Sequence, residues 1–405
     1  MNGKFLTYFN NIKEKYKVKN HFTYYVMSFV AVLLLVFSLT GGMKLSNQIL
    51  IEKIGYYIIF AVSLSLVVGF LGELSLGHAG FICLGAYFGT LFRNTFASGL
   101  TASAPFLSLV LAMLIGGLVA AVFGFIIGLP ALRLKGDYLA IVTLAFGEIV
   151  KTIFLNVPIF GGPIGLPNKR YDRQSLPVII FISAILIIAI VNNFIKSKHG
   201  RAITAIRDNE IAARAMGVNT TYYKLIVFVL SSFLAGVGGV LYSASKTQIT
   251  ADVFNYNYSI EILIMVVLGG MGSINGSIIA ATLITFINEQ LISALSNNLA
   301  ALKNLIYAFI LIGLVIYNNA PKLKEFRAKY NLRNLWGKIY ELLHKVFRKK
   351  KPVDDPAAEK ADESDWSKIP TKVEMDAILS TDLTPDTNYV PDKPDKPDKE
   401  EGGEQ

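Results

Sequence analysis

The chain has 405 residues, 53% of them hydrophobic, with a mean hydropathy of +0.48 and a formal net charge of +10. This composition lies well above that of a soluble domain, and several apolar runs reach the roughly 20 residues that a helix needs to cross a bilayer. The runs do not alternate in polarity, which excludes a transmembrane β-barrel. We expect an all-α, polytopic helical membrane protein with eight to ten transmembrane helices and Gly-rich breaks.

The charge is unevenly distributed. Residues 352–405 hold 16 acidic and 6 basic residues, so the first 351 residues carry a net charge of +20. A basic excess is compatible with nucleic-acid binding or with cytoplasmic loops that are enriched in Lys and Arg, and the second interpretation suits an apolar chain. Cys83 is the one cysteine and the four histidines do not pair at ligand spacing, so we expect no disulfide and no metal site.

In chain order, a basic N-terminus of residues 1–21 precedes a transmembrane domain of residues 22–320. The candidate spans within it are 22–41, 49–69, 76–95, 106–129, 138–157, 176–195, 222–243, a broken segment at 259–294, and 300–318. The basic segments 131–137 and 196–201, the N-terminus and everything after Pro321 are expected in the cytoplasm. Both termini are then cytoplasmic, and the basic loop 168–174 lies outside against the usual bias.

Glycines interrupt two of these segments, at 71–81 and at 258–295. The second break allows either two short crossing helices, giving ten spans, or a re-entrant hairpin, giving eight. Irregular backbone at membrane depth survives only against protein or a water-filled cavity, and paired breaks are typical of a transport pathway. The other interpretation is tight helix packing through small residues. The candidate residues of a translocation path are Gly77, His78, Gly80, Gly269, Gly270 and Gly272.

Two polar regions follow the last span. In residues 321–351, apolar side chains recur at helical spacing and lysines and arginines fill the other side. This pattern is typical of a basic amphipathic helix in the membrane interface, with a calmodulin target as the alternative. Residues 352–405 form an acidic tail whose proline and charge content predicts disorder.

The stretch "GRAITAIRDNEIAARAMGVN", residues 200–219, is polar although it lies between two strongly apolar runs. Arg207, Glu210 and Arg214 share one face at helical spacing, and several alanines and Met216 lie on the other. Gly217 is a candidate C-cap. The pattern predicts one amphipathic helix, or two with a bend, whose charged face meets either water or a partner.

"EIAARAMGVN" resembles the cytoplasmic loop signature of ABC-importer permeases, although Ile211 stands where that signature has a glutamate. The fuller string 200–225 resembles the branched-chain amino-acid permease family more closely. So do "LSLGHAGFICLGAYFGTL" (74–91), "LPALRLKGDYLAIVTLAFGEI" (129–149) and "VLGGMGSINGSIIAA" (267–281). The resemblance covers roughly residues 50–318 and is to the M-type permease subunit.

The resemblance implies an importer subunit in the cell membrane that carries branched-chain or related amino acids. It also implies a second, unlike permease subunit, two cytosolic ATPases and an extracytoplasmic binding protein. Since the chain has no phosphate-loop motif, we expect no enzymatic activity and no cofactor, with ATP used by the partner subunits. The implied ATPase-coupling residues are Arg207, Asp208, Glu210, Ala212, Ala213, Arg214 and Gly217.

Two other functions remain open from the sequence. Related permeases carry urea, short amides or nucleosides, and their chains look alike. A stand-alone ion-driven secondary transporter is the alternative from another class, but it would leave the polar segment unexplained.

Overall fold

The computed structural model describes residues 45–294, apart from 97–98, 100–102, 135 and 173–174, and also residue 312. The predicted spans 22–41 and 300–318, the basic N-terminus, the amphipathic helix at 321–351 and the acidic tail lie outside the described residues.

Helices account for most of the described chain, in the order predicted from the apolar runs. They are α1 (Leu45–Ser65), extended by a π-helical turn (Leu66–Leu71), α2 (His78–Thr95), α3 (Pro105–Ala131), α4 (Asp137–Asn156), α5 (Leu176–Lys196), α6 (Lys198–Asp208), α7 (Glu210–Ala215), α8 (Thr220–Ala244), α9 (Tyr256–Gly269) and α10 (Ile274–Ala294). Short 3-10 turns lie at Pro158–Phe160, Gly162–Ile164 and Ala251–Val253, and β1 (Leu166–Pro167) pairs antiparallel with β2 (Gln248–Ile249).

Within the described part, five helical segments are long and apolar enough to cross a membrane. They are α1 with its π-helical turn, α3, α4, α5 and α8, while α9 and α10 are shorter apolar helices. The protein is therefore a multi-pass helical membrane protein, as the composition predicts.

The core lies where α8 packs against α1, α2 and α3. Glycines allow the close approach, because a Cβ on Gly236 would lie 2.7 Å from the Gly116 carbonyl oxygen, and one on Gly239 would overlap the Ile82 carbonyl. Helix α3 instead exposes large apolar side chains, as a helix surrounded by hydrocarbon or by another subunit does. Those side chains include Leu114, Leu118, Val122 and Phe125.

In the second Gly-rich segment, α9 and α10 form a helical hairpin that packs along α1. At one end, the Asn288 amide lies 3.5 Å from Glu261 Oε1, and Lys53 on α1 pairs with Glu289. At the other end, the turn approaches the π-helical turn so closely that a Cβ on Gly69 would lie 2.7 Å from the Gly272 nitrogen. The hairpin thus extends along α1 from Lys53 to the π-helical turn.

The first break, residues 72–77, runs back along α1 without helical structure. Helix α2 therefore begins beside Ser63, about 12 Å before the end of the π-helical turn at 1.5 Å per residue. Neighbouring hydroxyls replace the missing helical hydrogen bonds, because Leu76 N donates to Thr143 Oγ1 (3.0 Å) and Ala79 N to Ser259 Oγ (2.9 Å). Irregular backbone is here satisfied by protein, as membrane depth requires.

Candidate functional site

The polar stretch 200–219, with the three residues before it, forms two short helices with a bend. Residues 197–219 are called the polar segment below. Ser197 caps α6 by accepting a hydrogen bond from Gly200 N, and Asn209 caps α7 by accepting one from Ala212 N (3.0 Å). Gly217 has a φ of 84° and ends α7, with its N–H donating to the Arg214 carbonyl (3.0 Å). The two-helix alternative and the glycine cap are both confirmed.

Sequence spacing predicted one helical face for Arg207, Glu210 and Arg214, and the structure corrects this: the bend at Asn209 places Arg207 on α6 and the other two on α7. The side chains that point into the bundle include Ile203, Ile206 and Ala213, but the charged groups of Arg207 and Glu210 also contact other parts of the chain. Ala212 is exposed, and the large exposed apolar side chains are Ile211 and Met216, at 80% and 84% exposure. Asp208 and Arg214 are the predicted charges that stay mostly exposed.

Arg207 connects the polar segment with both Gly-rich breaks. Its Nη1 donates to the Gly69 carbonyl at 3.3 Å, and its Cγ would lie 2.8 Å from a Cβ on Gly72. The same Nη1 would lie 3.2 Å from a Cβ on Gly272, in the turn between α9 and α10. Nε and Nη2 also bind Asp208 Oδ1 at 3.1 and 3.0 Å, which orients the guanidinium.

A second link runs through Lys224 in the first turn of α8, which is only 4% exposed. Its Nζ lies 2.6 Å from Glu73 Oε1 in the first break and 3.2 Å from Glu210 Oε2 on α7. Glu210 also accepts a hydrogen bond from Arg214 at 2.9 Å. One lysine thus joins α7, α8 and the first break. The sequence alone did not predict this contact, because Lys224 and Glu73 are 151 positions apart.

The residues predicted for a translocation path are mostly packed against protein. The His78 imidazole is buried, 2.7 Å from Ser63 Oγ, as a structural histidine is. Gly80 faces Gly147 on α4, where a Cβ would lie 2.9 Å from the Gly147 Cα. These contacts fit the alternative interpretation, close packing through small residues. Gly77 and Gly269 lie in close contact with the backbone of other residues. Gly270 and Gly272, in the turn between α9 and α10, have left-handed backbone conformations.

The described residues contain no group of three His, Cys, Asp or Glu side chains that could hold a metal ion.

The family described as the branched-chain amino acid transport system permease component matches residues 47–315. The chain belongs to this permease family. The resemblance noted in the sequence is thereby confirmed.

Several relatives carry permease names. The high-affinity branched-chain amino acid transport system permease proteins LivM of Salmonella typhimurium and Escherichia coli K12 are each 35% identical over 266 residues, 58% of this chain and 60% of theirs. The chain thus spans about three fifths of the length of these relatives. The guanosine ABC transporter permease protein NupQ of Bacillus subtilis is 29% identical over 196 residues, 43% of this chain and 59% of its own. No solved structure matches the chain.

Proposed function

We propose that this chain is the M-type permease subunit of an ABC importer for branched-chain amino acids. The observation that carries the proposal is the family match over residues 47–315 together with the 35% identity to two LivM proteins. In this proposal a binding protein delivers the amino acid, a second permease subunit completes the path, and two separate ATPases hydrolyse ATP. The chain itself performs no enzymatic reaction and holds no cofactor.

The proposed orientation places the polar segment in the cytoplasm, together with both termini. Helices α1 and α8 each run from one end of the bundle to the other, so the loops 157–175 and 245–255 then lie on the outer side. The basic segment 196–201 supports this orientation through the positive-inside bias.

Docking of an ATPase is proposed to occur through the apolar tip of the polar segment rather than through its charged face. Ile211, near the start of the short helix α7, and Met216, just after its end, are both large, apolar and exposed. Side chains of this kind are suited to the buried centre of an interface, with Asp208 and Arg214 at its polar rim.

Arg207 and Lys224 would transmit the movement of a docked ATPase into the membrane domain. Arg207 contacts both glycine breaks, and Lys224 holds the first break and α7 onto α8. Because the Lys224 pair is buried, its separation leaves uncompensated charge, so α7 and the first break are expected to move together.

One other substrate class has a specific observation in its favour, the similarity to the guanosine permease of Bacillus subtilis. That relative covers a smaller share of this chain and is less identical than the LivM proteins. A nucleoside is therefore the second candidate substrate.

The proposal is tested by uptake of labelled leucine, valine, guanosine and urea in a strain that lacks this gene. We expect loss of high-affinity leucine and valine uptake, with recovery when the full-length chain is restored. If leucine uptake is unchanged and guanosine uptake is lost, the substrate is a nucleoside and not a branched-chain amino acid. If none of the four solutes is affected while the other transporter subunits are present, the substrate class is wrong.

A further inference from the structure

A cavity of about 160 Å³ opens at the end of the bundle opposite the polar segment. It lies between the start of α1, the loop after β1 and the residues that follow α8. Three cationic side chains and one carboxylate are among the described residues that line it, namely Lys53, Arg170, Lys246 and Glu52. Nothing in the proposed coupling mechanism uses this cluster.

Two of the three cations already have carboxylate partners. Arg170 Nη2 donates to both Glu52 oxygens at 3.1 Å, and Lys53 pairs with Glu289. Lys246 has no carboxylate partner among the described residues, and its Nζ lies 5.5 Å from the centroid of the Tyr242 ring. The cluster thus has one cation in excess.

Burial and neighbouring charges both change the pKa of Lys246, the cation in excess. Burial lowers the pKa of the Lys246 ammonium, and the nearby Lys53 and Arg170 lower it further, against the opposing effect of Glu52 and Glu289. An anion beside Lys246 would stabilise the charged form. The Arg170 Nε is also buried with no acceptor in the described part of the chain, so a second donor is unused.

The backbone that carries the donors is held in place by the short two-stranded ladder and by Asn168 next to it. Asn168 Nδ2 donates to the backbone carbonyls of Ser243 (2.6 Å) and Lys246 (3.1 Å), and its own N–H donates to the Thr247 carbonyl (2.9 Å). Arg170 follows two residues later on the same loop. Fixed donors lose little entropy when a ligand binds, so the cluster is organised before an anion arrives.

We propose that this cavity binds the carboxylate group of the transported amino acid at the outer mouth of the permease, with Lys246 as its principal counter-ion. This rests on the proposed function for the orientation and the amino-acid substrate. A carboxylate fits because it accepts charge-assisted hydrogen bonds from an ammonium group and matches the one excess cation among the described residues.

The test uses three probes that distinguish the carboxylate group of leucine from its ammonium group. They are leucine, 4-methylpentanoate, which keeps the carboxylate, and 3-methylbutylamine, which keeps the ammonium. Binding to the full-length chain, purified with the subunits that stay bound to it, is measured by calorimetry at fixed ionic strength. We expect leucine and 4-methylpentanoate to bind and 3-methylbutylamine not to bind.

Lys246→Gln is expected to weaken binding of both carboxylates about tenfold, which corresponds to one lost charge-assisted hydrogen bond. Lys246→Arg keeps the charge and should retain most of the affinity. Lys169→Gln is the matched control, because Lys169 is an exposed lysine beside Arg170, on the loop after β1, and is not among the residues that line the cavity. Unfolding midpoints of all three variants identify any loss caused by misfolding.

The inference is overturned if Lys246→Gln binds 4-methylpentanoate as tightly as the unchanged chain, or if 3-methylbutylamine binds as well as the carboxylates. Failure of the proposed function gives a different result: carboxylate binding that depends on Lys246, without any leucine uptake that depends on the gene. Wild-type leucine uptake with wild-type KM in Lys246→Gln would retain the proposed function and remove this site.

Discussion

Lys224 is the residue on which the polar end of the bundle most depends. It is buried, and it is the shared partner of two carboxylates, Glu73 and Glu210, that come from different segments. Both carboxylates keep some exposure, at 14% and 23% of the side chain, so water offsets part of the effect of losing the lysine. Removal of one partner from a fully buried pair costs about 3–5 kcal/mol, and a smaller cost is expected here.

Lys224→Met is expected to lower the unfolding midpoint of the purified protein, because Glu73 loses its cation, while Glu210 keeps its pair with Arg214. Adding Glu73→Gln should restore part of the loss, since the neutral amide no longer needs a counter-ion. Thermal unfolding of the two single variants and the double variant measures this as a double-mutant cycle. Lys169→Met is the exposed control, and strictly additive losses would contradict a direct interaction.

Arg207→Ala is expected to leave folding and assembly intact but to reduce transport per ATP hydrolysed. The reason is that it removes the contacts of α6 with Gly69, Gly72 and Gly272 while leaving the exposed tip unchanged. Uptake and ATP hydrolysis are measured together in proteoliposomes that contain the complete transporter. Arg201→Ala, on the same helix with an exposed arginine, should keep the normal ratio. Normal coupling in Arg207→Ala would show that the contact is only structural.

At the scale of elements, the packing of α2 depends on glycines that meet the backbone of other helices. Gly77 faces the Thr143 carbonyl on α4, where an added Cβ would overlap backbone atoms. Gly147, on α4 itself, faces Gly77 with room, because its added Cβ would lie 3.6 Å from the Gly77 Cα. The two glycines of one contact are therefore not equivalent.

Gly77→Ala is expected to destabilise the protein by about 1–3 kcal/mol, as overpacking of a filled interior does. Gly147→Ala, its matched control, should change stability by well under that amount, because its Cβ meets only ordinary van der Waals contact. The comparison requires unfolding midpoints and expression levels of both variants. If the two substitutions have equal effects, α2 and α4 can move apart without a loss of stability.

At the scale of the whole molecule, α8 connects the two ends. Its 25 residues span about 37 Å at 1.5 Å per residue, with Lys224 near its start and the cavity residue Lys246 just beyond its end. The proposed ATPase surface is near the start of α8, because Lys224 pairs with Glu210 on α7, and the proposed carboxylate site is at the other end of α8. A change at the polar end can reach the cavity through one rigid element.

Ile211→Glu combined with Met216→Glu is expected to abolish co-purification of the ATPase subunits, because two charges would be buried in an apolar contact. Membrane insertion should be unaffected, since both side chains are exposed in the chain itself. The control is Ile164→Glu, an equally exposed isoleucine at the opposite end, which should retain the ATPases. If the double variant retains the ATPases, docking occurs through the charged residues Asp208 and Arg214 instead.

The sequence by itself determined the membrane class, the approximate bounds of the described spans and the glycine cap of the polar segment, but it left open whether that segment is one helix or two. The expected span at 49–69 is part of α1 with its π-helical turn, and the glycine cap at Gly217 lies where expected. These properties are local: the bilayer sets the length of an apolar helix, and a cap depends on the few residues around it.

Only the tertiary structure decided which way the charged residues of that segment point and what they contact. The Lys224–Glu73 pair and the Arg207–Gly69 contact join residues 151 and 138 positions apart, and the cavity joins the start of α1 to loops beyond residue 169. Helical spacing predicts one face for Arg207 and Glu210, but it shows neither the bend at Asn209 that separates them nor whether each side chain meets water or another helix. That choice depends on how the spans pack around α8, because a charge turned inward is stable only where a distant partner is present to meet it.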